Sequence, residues 1–244
     1  MISPSRGARP SAVARHDALV ILQARMGSSR LPGKVLAPLG DRSILAQCIE
    51  RLQAARVGEV LVATTTRPED EAVVAEAQAA GVDVVRGPVD DVLARFVGAL
   101  DGWTGPYVIR ATADNPFVDV DGPARLLRLL DAGADYAIEE GLPIGAAVEA
   151  MRVEVLREAG ALASSAYDRE HVTPFIRQAT DRYAVCSAPA PFDVRRPALR
   201  LTVDTRHDLQ FVRSLADQVA DAASLSLSQV IALADRSAGW AGVA

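Results

Sequence analysis

Short apolar runs alternating with amphipathic stretches of about a dozen residues constrain this chain most, because that rhythm suits helices packed on a largely parallel sheet. The pattern predicts strands at 18–23, 59–64, 83–86, 107–111, 135–138, 183–187 and 199–203. It predicts helices at 43–55, 69–80, 89–100, 121–131, 152–163, 169–179, 205–220 and 226–237. No period repeats, so a solenoid is not expected. A chain of 244 residues with 50% hydrophobic content can bury one substantial core. We expect one α/β domain over 17–237, a basic, Ser/Pro/Ala-rich disordered leader over 1–16 and a C-terminal tail over 238–244. The net charge of −5 argues against a general nucleic-acid binder. No apolar run is long enough to span a bilayer and the leader has no signal-peptide core, so the expected location is cytoplasmic. Cys48 and Cys186 lack metal-type spacing and are expected to be reduced core thiols.

In open α/β sheets ligands bind beyond the carboxyl ends of strands. Three such ends carry chemistry. After the first strand comes Gln23-Ala24-Arg25-Met26-Gly27-Ser28-Ser29-Arg30-Leu31-Pro32-Gly33-Lys34, with glycines that let amides approach anionic oxygens and three cations to neutralise a polyphosphate. Five residues separate Gly27 from Gly33 and Val35 follows Lys34, which excludes a Walker loop; the spacing also excludes a dinucleotide-binding turn.

The other two ends are Thr112-Ala113-Asp114-Asn115-Pro116 and Val203-Asp204-Thr205. Two aspartates at neighbouring strand ends suit Mg²⁺ bound to a triphosphate. Local chemistry alone also permits Asp204 as a helix N-cap and Asp114 as a turn former. Asp168-Arg169-Glu170-His171-Val172-Thr173 opens a predicted helix and suits either acid/base work or a surface ion pair. Glu149 either faces a substrate or is an ordinary paired carboxylate, and Asp90-Asp91 reads as an N-terminal capping pair. His16 and His207 have no supporting constellation.

Taken in order, these motifs resemble the cytidylyltransferases of the spore-coat polysaccharide biosynthesis type, relatives of the enzymes that make CMP-ketodeoxyoctonate and CMP-sialic acid. The likeness runs from the first loop through Ala63-Thr64-Thr65-Thr66, Arg86-Gly87, Asp90-Asp91-Val92-Leu93, Arg110 to Pro116, Arg169 to Pro174 and Leu201 to Thr205. The resemblance implies a three-layer, Rossmann-like nucleotidyltransferase fold with a mostly parallel sheet, binding CTP beside the first loop. It implies that Arg30 and Lys34 hold the triphosphate, with Arg25, Gly27 and Ser28 beside the nucleotide. Main-chain groups at Leu22, Gln23 and Ala24 would read the base, with Thr64, Thr65 and Thr66 nearby.

Asp114 and Asp204 match the expected Mg²⁺ ligands, and Glu149, Arg169, Glu170 and His171 would lie towards a small-molecule acceptor. A homodimer is expected by the same analogy. The expected reaction is attack of an acceptor oxygen on the α-phosphorus of CTP, with Arg30, Lys34 and Asp114 as the catalytic set. Alternatives are the same transfer from UTP or GTP, and a non-catalytic nucleotide-binding module. One departure stands out: family members often have Gly-Leu-Asp-Val-Glu where this chain has Gly145-Ala146-Ala147-Val148-Glu149. Losing a carboxylate there implies an unusual acceptor or a lost function in that pocket.

Overall fold

The computed structural model describes residues 18–237. The expected leader and tail, and His16, lie outside the described residues. The first strand, β1 (Ala18–Gln23), is apolar through Leu22 and buried, so it sits mid-sheet. A small hairpin, β2 (Pro38–Leu39) and β3 (Arg42–Ser43), leads into α1 (Ile44–Ala54), capped by Ser43 Oγ, which accepts from the Ala46 amide. There follow β4 (Gly58–Thr65), α2 (Glu71–Ala79), β5 (Asp83–Gly87), α3 (Val92–Gly98), β6 (Tyr107–Thr112) and α4 (Gly122–Asp131). The second half adds β7 (Tyr136–Glu140), β8 (Glu149–Arg152), α5 (Val153–Leu162), α6 (Ala166–His171), α7 (Pro174–Gln178), β9 (Val185–Pro189), α8 (Arg206–Ala216) and α9 (Leu227–Arg236).

The main sheet has seven strands in the order β5-β4-β1-β6-β8-β7-β9. β5, β4, β1 and β6 run parallel, and β8 is inserted antiparallel between β6 and β7. One core lies under α1, α2, α4, α8 and α9, and the other under α3, α5 and α7. This is the expected three-layer arrangement. From β1 the chain passes first to β4 on one side and later to β6 on the other, so the segment after β1 leaves the sheet at a topological switch point, where a crevice opens.

Four readings of the sequence need correction. Residues 199–203 are extended but do not join the sheet; Arg200 makes a single bridge to Ile144, and the Leu201 and Thr202 amides both donate to the Ile144 carbonyl (2.8 and 3.1 Å). Strand β8 was not expected, because four residues after a glycine-bearing segment carry too little periodicity to register. The single helix expected over 169–179 is two, broken at Val172 with φ 71°. The segment 168–173 therefore closes a helix rather than opening one. Cys48 is a buried thiol as expected, whereas Cys186 on the edge strand β9 is half-buried.

The antiparallel insertion of β8 has a consequence for placement. Its first residue, Glu149, pairs with Arg110 near the carboxyl end of β6, so an acid from an antiparallel strand reaches the same sheet edge as the loops after β1 and β6.

Candidate active site

The loop after β1 is held from both ends. The Ala24 amide donates to the Ala63 carbonyl (3.1 Å), and the Met26 amide donates to Asp70 Oδ1 (2.6 Å). Asp70 is 1% exposed and also accepts from the Thr65 hydroxyl, so a buried carboxylate fixes the loop to the end of β4. Nothing near Asp70 in the sequence signals this role; the loop it serves is 44 residues away. Further along, the Ser28 and Gly33 amides both donate to the Met26 carbonyl (3.0 and 2.9 Å). Gly33 has φ 72°, a left-handed conformation that glycine adopts without cost. That turn starts the 3₁₀ segment Lys34–Leu36 and aims Lys34 inward.

Asp114 and Asp204 come together because their backbones are joined. The Val203 amide donates to the Asp114 carbonyl (2.8 Å). Behind it, Gly145 (φ 93°) lets its segment lie directly on Thr202, where a Cβ would stand 2.5 Å from the Thr202 nitrogen. Asp204 is not the cap of the following helix. That place belongs to Thr205, which forms a reciprocal capping box with Asp208. Asp208 also accepts from the Asp204 amide (3.0 Å), leaving the Asp204 carboxylate free to turn inward.

At the centre stands the Lys34 ammonium. It donates to Asp114 Oδ2 (2.8 Å), Asp204 Oδ1 (2.9 Å) and the Val203 carbonyl (2.7 Å), using all three of its protons. Arg30 reaches Asp204 Oδ1 at 3.0 Å, and Arg200 donates to Asp204 Oδ2 at 2.6 Å. Burial pushes the Asp204 carboxyl up, but the hydrogen bond and charge of Lys34, with Arg30 and Arg200 behind them, outweigh it and hold the group below the ordinary aspartate value.

These side chains border a cleft of about 310 Å³. One wall is the loop after β1, contributing Gln23, Ala24, Arg25, Gly27, Ser28 and Arg30. The floor is Arg110, Thr112 and Asp114 from the end of β6, and Glu170 and His171 stand on the opposite lip. Each of these except Arg110 and Thr112 was expected at the site from sequence. The ring of His171 lies 4.5 Å from that of Tyr167.

The structure does not bring the remaining expected residues to the lining. The Leu22 side chain is wholly in the core, and Thr64 is fully buried. Thr65 turns to Asp70, and Thr66 lies exposed beyond the end of β4. Arg169 points away, donating to Asp91 Oδ2 (2.7 Å) and to the Gly160 and Ala163 carbonyls (3.1 and 3.0 Å), so it ties α6 to α3 and α5. Asp91 is indeed the cap of α3, accepting from the Ala94 amide at 2.8 Å. Glu149 sits behind Arg110, its carboxylate taken by protein donors. Ala147 packs against the larger core and does not line the cleft.

The donor set fits a hard divalent cation. Two carboxylates converge on one positive charge, and among the described residues no group of three or more His, Cys, Asp or Glu side chains forms a protein-only cage. Magnesium typically binds through one or two carboxylates and takes its other ligands from water and substrate phosphates.

The sequence matches the cytidylyltransferase family over residues 19–230. It is 35% identical over 218 residues to the uncharacterized protein MJ1063 of Methanocaldococcus jannaschii, covering 88% of this chain and 89% of that protein. It is 33% identical over 228 residues to the spore coat polysaccharide biosynthesis protein SpsF of Bacillus subtilis, covering 91% and 95%. The fold superposes on a cytidylyltransferase of Leptospira borgpetersenii with a TM-score of 0.86 at 25% identity, covering 94% of this chain and 98% of that one.

Proposed function

The chain belongs to the cytidylyltransferase family, and we propose on that footing that it transfers CMP from CTP to an oxygen of a small acceptor, a sugar hydroxyl, phosphate or phosphonate. The new bond joins that oxygen to the α-phosphorus. The bond from the α-phosphorus to the bridging oxygen breaks, and pyrophosphate leaves with its electron pair. An acceptor hydroxyl would give up its proton on the side of Glu170 and His171, the titratable groups on that lip of the cleft.

One observation carries the reading. Arg30 and Lys34 from the loop after β1, Asp114 from the end of β6 and Asp204 from the segment before α8 meet at one point beside a cleft lined by Arg25, Gly27 and Ser28. Arg30 is largely exposed and can follow a triphosphate, while Lys34 is fixed in depth. In catalysis Arg30 and Lys34 would stabilise charge on the reacting phosphorus and the leaving pyrophosphate, and Arg25, Gly27 and Ser28 would hold the nucleotide. Asp114 and Asp204 would hold Mg²⁺, which when bound supplies charge neutralisation at the phosphates. The enzyme would act as a cytoplasmic homodimer; no described helix is long and apolar enough to cross a membrane.

The test is pyrophosphate release with each of the four nucleoside triphosphates against pooled sugars, sugar phosphates and phosphonates. We expect turnover with CTP, reduced by orders of magnitude in Lys34→Ala and Asp114→Ala. Turnover with UTP or GTP in place of CTP overturns the base assignment. Tight CTP binding by calorimetry with no turnover in any pool makes the chain a binding module instead.

A further inference from the structure

Next to the triphosphate machinery lies a charged assembly that, among the described residues, no hydrogen bond joins to Arg30, Lys34, Asp114 or Asp204. Glu149, 7% exposed, accepts from Arg110 Nη1 (2.6 Å) through Oε2, and from the Tyr136 hydroxyl (2.6 Å) and Thr173 hydroxyl (3.0 Å) through Oε1. The donors come from β6, from β7 and from the turn after α6. Burying a carboxylate costs several kcal/mol unless it is well partnered, and an apolar cluster of the same volume often serves stability as well or better. Fold stability alone therefore does not account for the arrangement.

The turn that delivers Thr173 is itself strained. Val172 has φ 71° and ψ −55°, and the Thr173 amide donates to the His171 carbonyl (2.9 Å), a γ-turn of the rare positive-φ kind. For a β-branched residue this conformation costs on the order of 1–3 kcal/mol and persists only where the surroundings enforce it. Val172 is completely buried, which supplies the enforcement. The turn puts Glu170 and His171 on the cleft lip and Thr173 on Glu149 in one stroke.

Of the four members of the assembly, only Arg110 lines the cleft. Its Nη1 is taken by Glu149, which fixes the fork in place; its Nε is buried without a protein partner, so the donors the fork can offer the cleft are those of its Nη groups. A guanidinium held in this way binds a planar or tetrahedral anion with defined geometry. We propose that Arg110 is the specificity-determining residue for the acceptor, binding an anionic oxygen group of the second substrate, and that Glu149, Tyr136 and Thr173 are positioning residues that act through it. The inference rests on the nucleotidyl-transfer reading, deepens it by assigning a charge to the acceptor, and replaces direct contact by Glu149 with contact by Arg110.

The experiment uses the full chain saturated with Mg²⁺ and a CTP analogue carrying a methylene bridge between the α and β phosphorus atoms, which fills the triphosphate site without reacting. Methylphosphonate, acetate and neutral acetamide are titrated by ligand-observed NMR. Wild type should bind at least one anion about tenfold or more tightly than acetamide, the two anions distinguishing a phosphonate-type from a carboxylate-type group. Arg110→Met combined with Glu149→Gln removes both charges together and avoids stranding either. It should lose that preference while binding the analogue within about threefold of wild type. Arg110→Lys should recover part of the anion binding, and Tyr136→Phe should weaken it without touching the cleft. Equal anion binding by wild type and the double variant, or no anion preference in wild type, overturns the assignment of Arg110. Failure of the wild type to bind the CTP analogue overturns the nucleotidyl-transfer reading, and this inference with it.

Discussion

Replacing Lys34 by Met keeps the length of the side chain and removes its charge at the point where three chain segments meet. In wild type Lys34 is 9% exposed, and its ammonium holds Asp114, Asp204 and the Val203 carbonyl within 2.9 Å. Without it Asp204 keeps Arg30 and Arg200, whereas Asp114 has no other ion pair among the described residues. Breaking a buried pair costs about 3–5 kcal/mol. The two carboxylates are 28% and 18% exposed, so water offsets part of that loss and we expect ~1–3 kcal/mol. For a chain of this size that lowers the melting temperature by roughly 3–9 °C in metal-free buffer at pH 7.

The same change should strengthen divalent-ion binding, because the lysine and the ion compete for the same oxygens. A tenfold gain in Mn²⁺ affinity, read by the disappearance of the free-ion EPR signal, corresponds to about 1.4 kcal/mol. Mn²⁺ at a hundred times the dissociation constant should then restore about 2.7 kcal/mol of stability. Catalysis should still be lost, which separates the structural and chemical parts of the residue. A variant that melts with wild type in metal-free buffer, or binds Mn²⁺ no more tightly, would refute competition between Lys34 and the ion.

Gly145→Ala should destabilise the protein by ~2 kcal/mol or more and lower turnover, since its Cβ would meet the Thr202 nitrogen at 2.5 Å and displace the segment that carries Asp204; urea denaturation and pyrophosphate release check both. Stability should also fall at acid pH. Burial pushes the Glu149 carboxyl up, but Arg110, Tyr136 and Thr173 outweigh it and hold its folded pKa below the ordinary glutamate value of 4.5. Its contribution is present above about pH 4.5 and is lost as pH falls through that lower folded value. Tyr136→Phe should make the acid limb of a urea-midpoint profile shallower; an unchanged limb would show that Glu149 does not contribute to it. Finally, an aromatic disulfide reagent should label one thiol per native chain and two after unfolding. Cys48 is buried and its pKa raised, while Cys186 on β9 is partly accessible.

Periodicity was enough to expose most of the fold. β1 is apolar through Leu22 and β6 is apolar apart from Arg110 and its terminal Thr112, because both of their faces are covered, and their loops carry glycine, cations and an aspartate at the switch point where ligands bind in such sheets. Position made Arg30, Lys34 and Asp114 candidates, the resemblance gave them roles, and Asp204 was reached through an expected strand at 199–203 that the sheet does not contain. Segment 199–203 differs from expectation for a physical reason: an alternating stretch that bonds to Ile144 and Asp114 looks the same in sequence as one that enters a sheet.

What the sequence by itself determined was the α/β alternation, the glycine-and-cation make-up of the loop after β1 and the placement of Asp114 after β6. These depend on spacing within a few residues. Only the tertiary structure decided that Asp70 anchors the loop, that Lys34 stands between two aspartates, and that Glu149 serves Arg110 rather than the cleft. Those contacts join residues 39 to 170 positions apart, and their energies come from burial and from shared charge, which no local pattern of residues encodes.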